Sequence, residues 1–186
     1  KIWRAYTTLE KLATLKPAFD KHSGKGTLTA GNSTNLSDGA SVALLSSEQW
    51  ATDNNKEIQA YLVDAQVAAV DFVGGDGLLM APAWAVAQLL KRNNLSLQDF
   101  DFYEIHEAFA AQVLCTLKAW ESEQFCKEKL GMDAALGSID RSKLNVVGSS
   151  LALGHPFAAT GARIVATAAK LLKEKGQGRV LISICT

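Results

Sequence analysis

The sequence predicts an α/β layered fold with largely parallel strand pairing. Short apolar runs of the length of buried strands alternate with longer segments of helical periodicity along most of the chain. The chain has 186 residues, of which 48% are hydrophobic, so it can bury the core of one ordinary domain or slightly more. An alternation of strands and helices is typical of sheets whose strands are mostly parallel.

The first part of the chain is predicted to end at a polar patch, TDNNK, at residues 52–56. Before it, residues 7–13 predict a short helix, and the apolar run at residues 40–45 is typical of a buried strand. Glycine, asparagine and serine residues predict turns on the amino-terminal side of that strand. We therefore place a domain boundary at the patch, which gives domains 1–52 and 53–186.

The second part of the chain predicts strands and helices in alternation. A strand-like stretch at residues 61–70 leads through a GGDG turn to a helix from about Pro82 to Arg92, since proline suits the first turn of a helix. The other predicted elements are a strand at 102–105, a helix at 108–118, a helical or irregular segment at 126–130, a strand at 144–147, a helix at 156–173 and a strand at 179–184.

The composition argues against several classes of function. The net charge is zero and no lysine or arginine stripe is present, so nothing points to nucleic acid or an anionic membrane as partner. The apolar runs are far shorter than the roughly 20 residues that cross a bilayer. Three cysteines without metal-ligand spacing argue against a disulfide scaffold and a zinc site and favour a reducing compartment. We expect a cytoplasmic protein. Because the chain starts at Lys1, we also expect a missing upstream segment, which leaves mitochondrial or peroxisomal targeting open.

Three reactive side chains occupy similar places in the predicted fold. His106 follows the strand at 102–105, Cys185 follows the last strand, and His155 precedes the helix at 156–173. In open α/β sheets, ligands gather beyond the carboxyl ends of the strands, so these three residues can converge if their strands are parallel neighbours.

The segment ALGHPFAATGAR at residues 152–163 is the most specific stretch of the sequence. Pro156 suits a first helical position and places His155 at or beside the helix cap, where unpaired amides favour negative charge. The many small residues predict a buried helix with a functional amino end. Because a thiolate is the effective nucleophile, His155 is the candidate base that takes a proton from a thiol.

Each of these residues alone has a simpler interpretation. A single histidine such as His155 is more often a capping or core residue, and a cysteine that ends an apolar strand, such as Cys185, is more often a small buried hydrophobe. Their co-occurrence with His106 favours a reactive site. For Cys115 and Cys126 the packing interpretation stands, because no reactive partner lies nearby in the sequence.

The residues after His106 superficially resemble a metal-binding helix. Position 110 is Ala rather than the second histidine of such a motif, so we expect no zinc. Two roles stay open for Glu107. It either complements the dipole of a helix start or orients a histidine.

Four segments, in order, resemble the thiolases. They are TAGNS at 29–33 with DGA at 38–40, HEAFA at 106–110, ALGHP with ATGAR within 152–163, and the closing ISIC at 182–185. The resemblance implies a five-layered αβαβα fold, of which residues 1–52 are the end of the amino-terminal domain and residues 53–186 are a carboxyl-terminal domain truncated before its last turn. It also implies a homodimer or homotetramer.

The resemblance also implies roles for the three reactive residues. His155 would deprotonate a nucleophilic cysteine, and Cys185 would act as acid and base on the second substrate. His106, where many relatives carry asparagine, would hold a water that forms an oxyanion hole with His155. The acyl-accepting cysteine of the family is expected before Lys1, so the chain alone should not turn over.

The function implied is acyl transfer. A thiolase cleaves a 3-ketoacyl-CoA with coenzyme A as a substrate, to acetyl-CoA and a shortened acyl-CoA, or runs the reverse condensation, with no permanently bound cofactor. The HEAF form slightly favours the type that serves fatty-acid beta-oxidation, and a beta-oxidation complex is one assembly left open. Two alternatives stay open. One is a non-catalytic acyl-CoA-binding or structural subunit, and the other is a hydrolase built on Cys185 and His155.

Overall fold

The computed structural model describes residues 7–185, so residues 1–6 of the predicted first domain and Thr186 lie outside the described residues. Its strands are β1 (Phe102–Ile105) and β2 (Val180–Ser183), and residues Arg141–Lys143 form a 3-10 turn. Its helices are α1 (Leu9–Ala13), α2 (Glu48–Asp53), α3 (Ala81–Asn93), α4 (Ala110–Glu121), α5 (Glu123–Glu128), α6 (Ser150–Leu153) and α7 (Ala158–Lys175).

The two strands confirm the predicted parallel pairing. β1 and β2 are hydrogen-bonded neighbours, with Phe102 opposite Val180 and Ile105 opposite Ser183. Leu144 adds a single parallel bridge to Tyr103 at the other edge of β1. The chain between β1 and β2 contains helices, as a parallel crossover requires.

Helices cover both faces of this small sheet. Side chains alternate along a strand, so Tyr103 and Ile105 face one side and Glu104 faces the other. Tyr103 and Ile105 belong to a buried cluster that also contains residues of α3 and α4. α7 contributes nothing to that cluster but contacts both strands, so it packs on the Glu104 side.

Helix α3 begins where its sequence predicted a helix start. Pro82 lies in the first turn of α3, and Asn94 ends this helix in the left-handed conformation with φ 51°. Ala83, Val86 and Leu90 repeat at helical spacing and are buried in the core. The Nε1 of Trp120 in α4 donates to the carbonyl of Ala83 at 3.4 Å, which joins the two helices.

Three predicted strands are wrong. Residues 40–45 and 61–70 form no strand, and most of their side chains are exposed, with Val42 at 88% and Val67 at 87%. A strand needs a hydrogen-bonded neighbour, and within residues 7–185 neither segment has one. The predicted strand at 144–147 stops after the Leu144 bridge, because Asn145 turns the chain with φ 47°.

The helix predicted at 156–173 begins later than expected, at Ala158. Pro156 is therefore not its first residue, and Phe157 takes the cap position with φ 26°. One face of α7 is buried, whereas a Cβ on Gly161 would meet open space, so the prediction of a buried helix holds for that face only. None of the helices within residues 7–185 is both long enough and apolar enough to cross a bilayer.

Candidate functional site

The carboxyl ends of the two parallel strands bring His106 and Cys185 to the same edge of the sheet. The amide of His106 donates to the carbonyl of Ser183 at 2.9 Å, which continues the strand ladder by one residue. Cys185 follows two residues after the end of β2, and its thiol lies beside the backbone amide of Ala108. Strand geometry thus places both side chains at this edge, as the sequence predicted.

His155 reaches the same place from another direction. Its ring lies against that of His106, with the two ring centroids 4.3 Å apart and the planes inclined at 45°. It also meets the ring of Phe157, at 4.5 Å between centroids. All three predicted residues therefore converge, although His155 lies three residues before α7 rather than at its cap.

A segment from the first part of the chain, residues 32–36, fixes the two histidine loops relative to each other. Thr34 donates its amide to the carbonyl of Ala108 at 2.9 Å, and its hydroxyl donates to the carbonyl of Ser150 at 2.8 Å. The amide of His155 donates to the carbonyl of Asn35 at 2.8 Å. The end of the TAGNS motif and the residues after it therefore bridge the loops, a role that was not predicted.

Each histidine has a hydroxyl partner on Nδ1. The Nδ1 of His106 lies 2.8 Å from the Oγ of Ser150, and the Nδ1 of His155 lies 2.8 Å from the Oγ1 of Thr160. Thr160 lies in the first turn of α7, so this helix still orients His155 although it begins after it. The two hydroxyl partners were not predicted. The sequence contained one indication for Thr160, because it lies five residues after His155, in the first turn of the helix that follows.

The surroundings keep both imidazoles neutral and the thiol protonated at neutral pH. Burial, then the nearby His155 and Arg163, lower the pKa of His106 to about 4. Burial and Arg163 also lower the pKa of His155. Burial raises the pKa of the Cys185 thiol, and the backbone amides of Cys185 and Ala108 oppose that rise.

A second set of polar groups lies beneath the histidines and was not predicted. Glu104 is fully buried, and burial raises the pKa of its carboxyl to about 7, while the Arg163 charge opposes the rise. Both carboxyl oxygens of Glu104, the Nε of Arg163 and the Oγ of Ser183 are buried without a hydrogen-bond partner among the described residues. A polar residue at the centre of an apolar strand was the signal for Glu104.

Glu107 plays neither of the two roles predicted for it. Its carboxylate accepts from the Nδ2 of Asn145 at 2.8 Å and from the amide of Leu151 at 3.0 Å. Leu151 lies in the first turn of α6, so Glu107 stabilises the start of another helix rather than its own, and it forms no hydrogen bond with either histidine. Within residues 7–185, no group of three or more His, Cys, Asp or Glu side chains is arranged to hold a metal.

The other cysteines differ from each other. Cys126 is buried and its thiol contacts the carbonyls of Ala119 and Trp120, which confirms that it packs in the core. Cys115 is exposed on α4, so its predicted packing role is wrong. Neither is part of the histidine site.

Two family models match the chain. The model for "Thiolase, N-terminal domain" matches residues 1–49, and the model for "Thiolase, C-terminal domain" matches residues 56–186. A probable 3-ketoacyl-CoA thiolase of Caenorhabditis elegans is 45% identical over 179 residues, which are 96% of this chain and 39% of that protein. A 3-ketoacyl-CoA thiolase of Shewanella loihica is 45% identical over 183 residues, 98% of this chain and 41% of that protein. The chain thus spans about two fifths of the length of these relatives.

Solved structures are similar over nearly the whole chain. The Bacillus anthracis acetyl-CoA acetyltransferase has a TM-score of 0.77 at 40% identity, over 98% of this chain and 41% of that one. Human mitochondrial 3-ketoacyl-CoA thiolase in complex with CoA has a TM-score of 0.77 at 32% identity, over 100% of this chain and 41% of that one. The dimeric peroxisomal thiolase of Saccharomyces cerevisiae has a TM-score of 0.76 at 35% identity, over 98% of this chain and 40% of that one. These similarities confirm the predicted α/β fold.

Proposed function

The chain belongs to the thiolase family, and we propose on that basis that it forms the carboxyl-terminal part of an acyltransferase. The enzyme would cleave a 3-ketoacyl-CoA with coenzyme A, to acetyl-CoA and an acyl-CoA shortened by two carbons, or run the reverse condensation. The names of the relatives favour 3-ketoacyl-CoA thiolysis, and we assign the degradative direction, fatty-acid beta-oxidation.

The convergence of His106, His155 and Cys185 is the observation that carries this proposal. Thiolysis needs a base for a thiol, a donor for the thioester oxygen, and a group that exchanges a proton with the carbon next to a carbonyl. The three residues offer two neutral imidazoles and a protonated thiol at one edge of the sheet.

His155 has the environment of a base. Its lowered pKa leaves the ring neutral at pH 7, so one ring nitrogen is free to accept a proton. If Nδ1 donates to the Oγ1 of Thr160, Nε2 carries the free lone pair. We assign this tautomer to His155, and it would deprotonate the nucleophilic cysteine and then the incoming coenzyme A thiol.

Cys185 is assigned the proton exchange at carbon. Its raised pKa keeps it protonated in the resting state, so it can donate its proton to the α-carbon of the acetyl-CoA enolate that leaves when the C2–C3 bond of the 3-ketoacyl chain breaks. The Ala108 amide beside the thiol stabilises the thiolate that remains. In the reverse direction the thiolate would take the proton back.

The 186 residues alone are proposed to be inactive. Neither Cys115 nor Cys126 lies in the site, and the chain spans about two fifths of its relatives' length, so we assign the nucleophilic cysteine to a region before Lys1. We keep the division into 1–52 and 53–186 as two parts of thiolase domains. It is supported by an interval between the two family matches, which end at residue 49 and begin at residue 56.

The partners proposed are those of a metabolic enzyme. Coenzyme A is a substrate rather than a resident cofactor, which agrees with a relative crystallised with CoA. A homodimer or homotetramer is proposed, because one similar structure is described as dimeric. A beta-oxidation complex and a cytoplasmic location, with mitochondria or peroxisomes as alternatives, are further proposals.

The test is thiolysis by the full-length protein. Acetoacetyl-CoA and a long-chain 3-ketoacyl-CoA would be offered with free coenzyme A, to the parent protein, to Cys185→Ala and to Cys115→Ala as a matched control on α4. We expect activity that Cys185→Ala abolishes and Cys115→Ala leaves unchanged. The better substrate then separates a beta-oxidation enzyme from an acetoacetyl-CoA enzyme.

Two outcomes would contradict the proposal. A folded parent protein without activity on either substrate would favour a non-catalytic acyl-CoA-binding or structural subunit. Acyl label trapped on Cys185 itself, located by mass spectrometry, would favour the hydrolase alternative, because a thiolase carries its acyl group on a different cysteine.

A further inference from the structure

A row of hydrogen-bonded groups lies behind the His106 ring. The Nη2 of Arg163 donates to the Oγ of Ser150 at 3.3 Å, and the same Oγ lies 2.8 Å from the Nδ1 of His106. Ser150 and His106 are buried, at 0% and 1% exposed. The serine is thus the only side chain through which the guanidinium reaches this ring by hydrogen bonds within residues 7–185.

The protons available along this row decide which group donates and which accepts in each hydrogen bond. A guanidinium can only donate, so the Oγ of Ser150 accepts from Arg163 and cannot donate to it. The only other partner of that Oγ within residues 7–185 is the Nδ1 of His106. The hydroxyl proton therefore has one available acceptor, and that acceptor exists only when Nδ1 carries no proton.

The opposite arrangement leaves a buried donor unpaired. If Nδ1 carried the proton it would donate to Ser150, and the serine hydroxyl would then point at no acceptor. The carboxyl oxygens of Glu104 and the Oγ of Ser183 do not accept from it, since none of these atoms has a partner in the described part of the chain. An unpaired buried donor is strongly disfavoured, so the Nδ1-protonated forms of His106 are disfavoured as well.

The charge state of His106 agrees with this arrangement. Burial, His155 and Arg163 lower its pKa to about 4, so the ring holds a single proton at neutral pH. With Nδ1 occupied as an acceptor, that proton lies on Nε2. Arg163 favours the neutral ring electrostatically and holds the serine in place by its hydrogen bond.

We propose that Ser150, held by Arg163, is a positioning residue that fixes His106 as the tautomer with its proton on Nε2, so that His106 presents a hydrogen-bond donor to the site. The tautomer follows from the hydrogen bonds alone, and only its catalytic meaning rests on the proposed function.

The consequence for the reaction concerns the oxyanion. A donor at Nε2 occupies a lone pair of a water bound there and leaves both water protons free to donate, one of them to the thioester oxygen, which becomes negative in the transition state. An acceptor at Nε2 would consume one of those protons. An asparagine amide at position 106 would offer a donor without a tautomer to set, so it would not need Ser150.

The first test reads the tautomer without any activity. In full-length protein labelled at the Cδ2 carbon of histidine, the His106 resonance is assigned by its absence from His106→Asn. We expect the chemical shift of the Nε2-protonated tautomer in the parent protein. Ser150→Ala should move it toward the Nδ1-protonated value, and Ser149→Ala should leave it unchanged. Ser149 is the matched control, because it is equally buried but its hydroxyl donates to the Ile105 carbonyl at 3.4 Å.

The second test measures coupling between Ser150 and His106. Ser150→Ala should lower kcat about tenfold and change KM less than about twofold, since the lost donor acts in the transition state. In a His106→Asn background the same change should have no further effect, which a merely structural role of Ser150 would not predict. If Ser150→Ala fails to fold, Ser150→Cys, with a weak donor of similar size, should give the same two results in reduced degree.

The outcomes separate this inference from the function. An unchanged His106 resonance in folded Ser150→Ala or Ser150→Cys would overturn the positioning role, whether or not the enzyme is a thiolase. A tautomer shift in a protein without thiolysis would support the positioning role and reject the proposed function. Equal losses of kcat on Ser150→Ala in the parent protein and in the His106→Asn background would also overturn the inference.

Discussion

His106 and His155 lie in contact, with ring centroids 4.3 Å apart, but their surroundings differ. His106 is almost fully buried, and its Nδ1 meets a serine that already accepts from Arg163. His155 is half-buried, and its Nδ1 meets Thr160, a hydroxyl that is not committed to a guanidinium within residues 7–185. The first environment permits one tautomer, while the second permits either.

Two identical side chains in one site thus have different hydrogen-bond environments. Both pKa values are lowered, so charge does not distinguish the rings. The hydrogen bond on the far nitrogen does, because it decides whether the near nitrogen donates or accepts. We infer a fixed donor at His106 and a ring at His155 that can gain and lose a proton.

The sharpest test of this comparison exchanges each ring for a residue that cannot titrate. His155→Ala should lower kcat/KM of the full-length protein by about a thousandfold, since it removes a general base. His106→Asn should lower it less than about tenfold, since the asparagine amide still donates. Steady-state thiolysis by both variants, with circular dichroism to confirm folding, measures the contrast. Losses of equal size would mean that the two rings share one role.

Sequence patterns predicted which residues come together better than they predicted the sheet. Strands 102–105 and 179–184 and the helix near Pro82 were confirmed, because their apolar residues are buried by neighbours within the same chain. From these strands alone, the ends that carry His106 and Cys185 could be placed side by side. The local pattern of apolar residues was sufficient where residues of the same chain bury them.

The runs at residues 40–45 and 61–70 have equally strong strand character but form no strand. Most of their apolar side chains, such as Val42 and Val67, are exposed, and no strand within residues 7–185 pairs with them. A periodic pattern indicates which face of a segment can be buried. It does not indicate whether a neighbouring strand is present to pair with it. Ser150 and Glu104 were missed for a related reason, since their roles depend on contacts that span 44 residues or cross between helix and strand. Thr160 is different, because its partner His155 is only five residues away.

A second prediction concerns the buried pair of Glu104 and His106, whose titrations oppose each other. The neutral form of His106 favours folding, so its contribution is complete above its unfolded pKa near 6.5 and is lost as pH falls toward about 4. The protonated form of Glu104 favours folding, so its contribution is complete below about 4.5 and is lost as pH rises through about 7. Between about pH 4.5 and pH 6.5 the two groups therefore change the free energy of unfolding in opposite directions, and their effects cancel.

When either group is removed, the free energy of unfolding should show the pH dependence that the other group causes. Glu104→Gln should make the free energy of unfolding rise from pH 5 to pH 7, and His106→Asn should make it fall, each by up to about 2 kcal/mol. His155, whose pKa is also lowered, adds slightly to the rising slope. Urea denaturation of the full-length protein at pH 5, 6 and 7 measures both. Slopes of the same sign in the two variants would contradict the opposed titrations.

The smallest expected effect tests the hydrogen bond that distinguishes the His155 pocket. Thr160→Val keeps the shape of the buried side chain but removes the hydroxyl that meets Nδ1. We expect kcat/KM to fall about tenfold, because the ring loses its orientation but keeps its basicity.

Thr116→Val is the matched control for that variant. Thr116 is also fully buried in a helix, and its hydroxyl donates to the Gln112 carbonyl at 3.1 Å, away from both histidines. Both variants should lose about 1 kcal/mol of stability for the lost hydrogen bond, but only Thr160→Val should lose activity. If Thr160→Val retained full kcat/KM, His155 would be oriented by its contacts with His106 and Phe157 instead, and the two pockets would differ less than their hydrogen bonds indicate.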